Sequence, residues 1–150
     1  FIYLAMNIAV FTIILSLKKS NSYVEKISEL SGLSKSNPLI SVCLAIIMLS
    51  MAGIPPFIGF FGKFYVFIAA VESQLYLLAV LGVLASVISA FYYLRIIKGM
   101  YFDEKKDTEI FEFTISSEAK VLLTILMIII SLFIVYPTLL TNIVANISLI

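Results

Sequence analysis

Lys63 is the residue whose type and position point most directly to chemistry. It lies in an apolar run that Pro55 and Pro56 interrupt, and no other charged residue occurs between Lys35 and Glu72. A lysine at the centre of a membrane helix costs about 2.5–3.5 kcal/mol on insertion scales, so ionisable residues at such depth usually mark a functional site. Because burial disfavours the charged form of an amine, we predict that Lys63 exchanges a proton at working pH. A snorkelling lysine, with its amine at the membrane surface, is the alternative.

The two prolines predict a break in the helix that contains them. Proline has no backbone N–H, restricts the residue before it, and is accompanied here by glycines that add backbone freedom. The residues expected to form the break are Gly53, Ile54, Pro55, Pro56 and Phe57. Open backbone at membrane depth is tolerated where protein buries it or where it lines a water-filled cavity. A plain proline kink is the alternative.

The composition predicts a membrane protein. The chain is 62% hydrophobic and only 13% charged, whereas soluble domains are about 25% charged. Uncharged or nearly uncharged stretches of the length of a membrane helix separate the charged clusters. We therefore expect a single, all-α membrane domain over residues 1–150, a bundle of about four spans whose second span is discontinuous. The spans are expected at residues 2–17, 38–71, 75–100 and 118–136.

A short amphipathic helix is predicted at residues 23–31, lying at the membrane interface. Ser22 and Glu25 have the spacing of a capping box, and Gly32 is placed to stop the helix. Asn37 and Pro38 then have the order of a cap and a first helical residue at the start of the second span.

The basic residues predict the orientation. Alternating the loops across the membrane places nine basic residues on one side and none on the other; they are Lys18, Lys19, Lys26, Lys35, Arg95, Lys98, Lys105, Lys106 and Lys120. By the positive-inside rule that side is the cytoplasm or matrix. The C-terminus is then expected on the opposite side, the electrically positive side of the membrane.

Several classes of function are excluded by composition. A net charge of +1 without a large basic patch argues against nucleic-acid binding. With no histidine and a single cysteine, Cys43, the chain offers no soft-metal or haem site. Because the sequence begins with Phe1 and lacks a signal-peptide pattern, we expect a fragment or a processed or split product.

Two stretches, LSMAGIPPFIGFFGKFYVF and SVISAFYYLRIIKGMYFDE, resemble the C-terminal part of subunit 2, the bacterial N subunit, of respiratory complex I, an NADH:quinone oxidoreductase that pumps protons. YLAMNIAVF and the ELSGL and NPL segments fit the same family of antiporter-like subunits. The resemblance implies that the four spans correspond to helices 11–14 and that Gly53 to Phe57 break helix 12. It also implies that Lys63 is the terminal proton carrier of the half-channel to the positive side.

The resemblance further implies where the remaining components lie. NADH, FMN, iron–sulfur clusters and quinone are expected elsewhere in the complex, with no cofactor bound by this chain. The implied partners are the rest of subunit 2, neighbouring antiporter-like subunits and other complex I membrane subunits, together with lipids. The implied location is an energy-transducing membrane, either the mitochondrial inner membrane or the bacterial plasma membrane.

Ser89, Tyr92 and Glu72 are further candidates for lining a proton path near Lys63. Ser89 and Tyr92 share a helical face, and Glu72 lies nine residues beyond Lys63. Each also has a plainer role: close helix packing for the serine, an interfacial aromatic for the tyrosine, and a solvated helix end for Glu72.

Three alternative functions remain open. A subunit of a multi-subunit cation/proton antiporter or a membrane-bound hydrogenase shares the interrupted helix, and a plastid-type relative of complex I shares most of the motifs. A structural membrane scaffold, with Lys63 paired permanently to an acid, belongs to a different class.

Overall fold

The computed structural model describes residues 2–19, 22–103 and 111–135, and these residues are mainly helical. Six α-helices follow one another along the chain: α1 (Ile2–Ser16), α2 (Leu33–Ser36), α3 (Pro38–Ala52), α4 (Ile58–Glu72), α5 (Tyr76–Phe102) and α6 (Ser117–Val135). Three predictions concern residues outside the described ranges. They are the two basic loop residues Lys105 and Lys106, the end of the fourth span at residue 136, and the side of the membrane on which the C-terminus lies.

A small antiparallel sheet joins two connections at one end of the helices. Its strands are β1 (Leu17–Lys19), β2 (Ser22–Tyr23) and β3 (Phe111–Phe113), in the order β2-β1-β3. Lys18 is paired with Tyr23 on one side and with Glu112 on the other. The end of α1 and the start of α6 are therefore held together.

The predicted interfacial helix at residues 23–31 is wrong in its extent. Tyr23 belongs to β2, and the helical part is a single 3-10 turn, Ile27–Leu30. The capping box is formed by Lys26 and Glu29 and not by Ser22 and Glu25. The Lys26 N–H donates to the Glu29 carboxylate at 3.1 Å, so the helical turn begins after Lys26. Gly32 does adopt the left-handed conformation, with φ of 73°, and separates this turn from α2.

The helices pack around an apolar core formed mainly by α1 and α3, to which α6 and the end of α5 also contribute. Side chains less than 2% exposed are Met6, Ile13, Leu17, Leu33, Leu44, Ile47, Met100 and Ile130. Much of α5 is exposed, for example Leu77 and Phe91. Of the described helices, only α5 is both long and apolar enough to cross a membrane alone.

Helix α5 runs back along α4 and then α3. Near its start, Gly82 lies against the Phe67 ring of α4. Farther along, Ser86 and Ala90 border the same cleft as Gly53 at the end of α3. The order of these contacts means that α4 continues away from α3 in roughly the same direction, with residues 53–57 between them.

Candidate functional site at the helix break

The end of α3 is closed by a glycine in the left-handed conformation. Gly53 has φ of 82°, and its N–H donates to the Ser50 carbonyl at 3.0 Å. The Ile54 N–H donates to the Leu49 carbonyl at 3.2 Å. These two bonds form a Schellman motif, which ends a helix while satisfying its last carbonyl groups.

The prolines leave two further carbonyl groups of α3 without their usual donors. In a continuous helix the N–H groups of residues 55 and 56 would donate to the carbonyls of Met51 and Ala52, and Pro55 and Pro56 have no N–H. Lys63 supplies a donor instead: its Nζ bonds the Ala52 carbonyl oxygen at 3.1 Å. The Lys63 side chain is therefore hydrogen-bonded to the helix end at which the break begins.

Ser50 joins the start of α4 to the last turn of α3. Its Oγ accepts the Gly59 N–H at 3.1 Å, one of the N–H groups that a helix start leaves free. Ser50 is fully buried. A Cβ on Gly59 would collide with the Ser50 carbonyl oxygen, so only glycine allows the two helices to approach this closely. That close approach brings Lys63, one turn later, within reach of Ala52.

The end of α3 places a partial negative charge beside the Lys63 amine. The free carbonyls at the end of α3 carry the negative end of its helix dipole, and the Lys63 amine lies against one of them. Among the described residues, no carboxylate lies within ion-pair distance of Lys63, and its hydrogen-bond partner is the Ala52 carbonyl alone. The scaffold hypothesis, which requires a permanent acidic partner, therefore finds no such partner in this part of the chain.

Lys63 lies in a cleft of about 240 Å³ between α4 and α5. Phenylalanine rings of α4 and small or branched side chains of α5 form its walls; they include Phe60, Phe64, Phe67, Val83, Ser86 and Val87. Phe60 and Phe64 stack with their ring centres 5.6 Å apart. The amine is thus half-buried in mainly apolar surroundings. Within the described ranges, no three acidic, histidine or cysteine side chains converge as a metal site would require.

The candidates for lining a path fall in different places. Glu72 is exposed at the end of α4 and borders a second cleft, of about 400 Å³. Ser89 donates to the Ala85 carbonyl of its own helix at 2.9 Å, and Tyr92 is 56% exposed. Neither residue borders the Lys63 cleft; Ser86, one turn before Ser89, does.

Two residues of the junction, Ser50 and Gly59, are not among the site residues predicted from the sequence. A signal was present for Ser50, since a serine in an apolar helix near the proline pair can satisfy an N–H group that the break exposes. The two phenylalanines shared by both clefts, Phe64 and Phe67, read as ordinary apolar residues in the sequence.

This chain is similar to a described protein family and to several known proteins. Residues 1–89 match the family described as "NADH:quinone oxidoreductase/Mrp antiporter, TM". Proteins named NADH-quinone oxidoreductase subunit N are 51% identical over 137 residues in Rhodospirillum rubrum and 45% identical over 149 residues in Pelagibacter ubique. These matches cover 91% and 99% of this chain but 28% and 31% of the relatives. The chain thus spans under a third of their length.

A solved structure shows the same fold. A chain of respiratory complex I from Thermus thermophilus, solved with bound aureothin, superimposes with a TM-score of 0.71 and is 22% identical. The match covers 92% of this chain and 32% of that chain. At this identity the likeness supports the arrangement of the helices alone.

Proposed function

Because this chain belongs to the NADH:quinone oxidoreductase/Mrp antiporter family of membrane proteins, as the resemblance predicted, we propose that it is part of a proton-translocating subunit of NADH:quinone oxidoreductase. In this proposal Lys63 takes up and releases the transported proton. The observation that supports it most directly is the bond from Lys63 Nζ to the Ala52 carbonyl, at a helix end opened by two prolines.

The proposal treats α3 and α4 as two halves of one membrane span. Each has 15 residues, about 22 Å of helix, which is short of a ~30 Å hydrocarbon core. Together they are long enough, and the break then lies at membrane depth. There the Lys63 amine is both stabilised as a cation by the end of α3 and destabilised as a cation by its apolar cleft.

These opposed effects make protonation of Lys63 sensitive to charges nearby. A unit charge arriving about 4 Å away changes the energy of the ammonium by about 4 kcal/mol at an effective dielectric near 20, which is roughly a thousandfold in its protonation equilibrium. Quinone reduction elsewhere in the complex would supply the change of charge. This chain contributes no redox centre in that scheme; NADH, FMN, iron–sulfur clusters and quinone act in other parts of the assembly.

The two clefts on α4 suggest an exit route. Phe64 and Phe67 form a wall of both the cleft that holds Lys63 and the cleft that holds Glu72. Lys63 and Glu72 are nine residues apart, about 13 Å along the helix axis. A proton that leaves Lys63 for the positive side would pass this pair of rings, and Glu72 would accept it at the end of the helix.

The orientation remains part of the proposal. The sheet holds Lys18 and Glu112 together, which supports placing the two basic connections at the same end of the bundle. That end would face the cytoplasm or matrix, in a bacterial plasma membrane or a mitochondrial inner membrane. The remaining two thirds of the subunit, neighbouring antiporter-like subunits and lipids are the expected partners.

Proton pumping by the intact complex in sealed vesicles tests the proposal. Lys63→Ala should lower NADH-driven pumping while the complex still assembles, and unchanged pumping would refute the role of Lys63. The family description also includes Mrp antiporters. Sodium-dependent proton movement without NADH would favour that second function.

A further inference from the structure

A third cleft, distinct from the two clefts that border Lys63 and Glu72, separates the start of α3 from α6. Its volume is about 670 Å³, within the range of small-molecule sites. Its walls are mostly apolar and are formed by Leu39, Ile40 and Cys43 from α3 and by Leu123, Met127 and Ile128 from α6. Asn37, Thr124 and Lys120 are its polar side chains. The proton path proposed above uses none of these residues.

The charge in this cleft is confined to one end. Lys120, in the first turn of α6, is the one charged residue among those that line it. Phe113 of β3 and the helix start at Pro38 also border the cleft at that end, so Lys120 lies at the level of the sheet. The ammonium therefore marks the end of the bundle where the basic residues collect.

The depth of the apolar part matches one leaflet of a bilayer. Lys120 and Ile128 are eight residues apart in one helix, which is about 12 Å along its axis. Half of a ~30 Å hydrocarbon core is about 15 Å. A molecule that filled this cleft would thus need an anionic group at the membrane surface and an apolar chain that extends toward the middle of the membrane.

We propose that this cleft binds a phospholipid with an anionic headgroup, whose phosphate pairs with the Lys120 ammonium and whose acyl chain lies between α3 and α6. A free phosphate would leave the apolar walls uncovered, which cost free energy when exposed to water. The pairing of an ammonium with a lipid phosphate follows the attraction of basic residues to anionic membrane surfaces. This inference rests on membrane embedding and does not depend on Lys63.

Cys43 gives a direct readout, because it borders the cleft and is the only cysteine of the chain. The intact complex is stripped of lipid in detergent and then reconstituted in nanodiscs of phosphatidylcholine, with or without phosphatidylglycerol. Alkylation of Cys43 by N-ethylmaleimide is followed on its own peptide by mass spectrometry. We expect phosphatidylglycerol to slow the reaction, and Lys120→Gln to raise about fivefold the phosphatidylglycerol needed for half-protection.

Matched variants separate lipid binding at Lys120 from a general effect of membrane charge. Lys120→Arg keeps the charge and should keep the protection, and Lys98→Gln, an exposed lysine on α5 outside the cleft, should leave it unchanged. Equal alkylation with and without phosphatidylglycerol would overturn the proposal, as would protection that survives Lys120→Gln. A cysteine that stays unreactive in detergent would mean that protein fills the cleft, which also overturns it.

Discussion

Lys63 Nζ donates to the carbonyl oxygen of Ala52 at 3.1 Å. In a continuous helix the N–H of residue 56 would donate to this carbonyl, but Pro56 has no N–H. This bond links Lys63 to the helix end that the two prolines leave open. Without the amine, a carbonyl would remain without a donor in an apolar site, at a cost of about 1–3 kcal/mol. Without the prolines, the helix would continue and its own N–H groups would occupy the carbonyl that now accepts from Lys63.

Replacing Lys63 by arginine separates proton transfer from structural support. Arginine keeps a positive charge and hydrogen-bond donors, but it does not deprotonate in proteins. If Lys63 carries the proton, Lys63→Arg and Lys63→Ala should both lower NADH-driven pumping by at least about tenfold, because positioned proton-transfer groups contribute about 10²–10⁴-fold. Pumping is measured in sealed vesicles against the amount of assembled complex.

Lys98→Arg, at an exposed position on the same chain, is the control and should pump normally. A scaffold role makes the opposite prediction, because the charge and the bond to Ala52 are retained. Normal pumping by Lys63→Arg would therefore favour the scaffold.

Gly59→Ala should disturb the junction through steric collision. The added Cβ meets the Ser50 carbonyl oxygen, so α4 must move away from α3, and the Lys63 amine must move away from Ala52. Overpacking of this kind costs about 1–3 kcal/mol. We expect a lower thermal unfolding temperature of the purified complex and reduced pumping.

Gly62→Ala is the matched control on the same helix. A Cβ at Gly62 would meet no described atom within 4 Å outside the backbone of its own helix turn, and alanine is favoured over glycine in a helix by up to about 1 kcal/mol. Stability should be unchanged or slightly higher. If Gly59→Ala and Gly62→Ala have the same thermal unfolding temperature, the complex does not depend on the close approach of α3 and α4 for its stability.

The sequence predicts the local part of this arrangement better than the tertiary part. The ends of α3 follow from Pro38 at its start and from Gly53 and the prolines at its close, because these residues act through their own backbone. The partner of Ala52 does not follow, since it depends on how closely α4 returns to Ser50. The predicted helix at residues 23–31 fails for a similar reason: β1 pairs with both Ser22–Tyr23 and the distant β3, and local periodicity cannot reveal that pairing.

Ser50→Ala should cost stability even though the side chain is small. The substitution removes the acceptor of the Gly59 N–H and leaves a buried donor unsatisfied, at about 1–3 kcal/mol. Ser41→Ala is the control, because Ser41 is equally buried on α3 and its hydroxyl has no hydrogen-bond partner among the described residues. We expect the thermal unfolding temperature to fall for Ser50→Ala only. Equal effects of the two variants would contradict a structural role for the Ser50 bond.

Phe67→Ala should open the wall between the Lys63 cleft and the Glu72 cleft. The ring lies against Gly82 of α5 and borders both clefts, so its removal joins them and admits water toward Lys63. We expect NADH oxidation to continue while fewer protons are retained per NADH, because protons return through the joined clefts. The ratio of proton uptake to NADH oxidation in sealed vesicles measures this.

Phe67→Leu keeps an apolar side chain at the wall and should show a smaller leak, which separates loss of the barrier from loss of folding. Phe91→Ala removes a ring that is 63% exposed on α5 and should leave the ratio unchanged. If Phe67→Ala leaves the ratio unchanged in a complex that assembles normally, Phe64 and Phe67 do not lie on the proton route. Lys63 would then have to release its proton by a path that avoids Glu72, through helices contributed by the rest of the subunit.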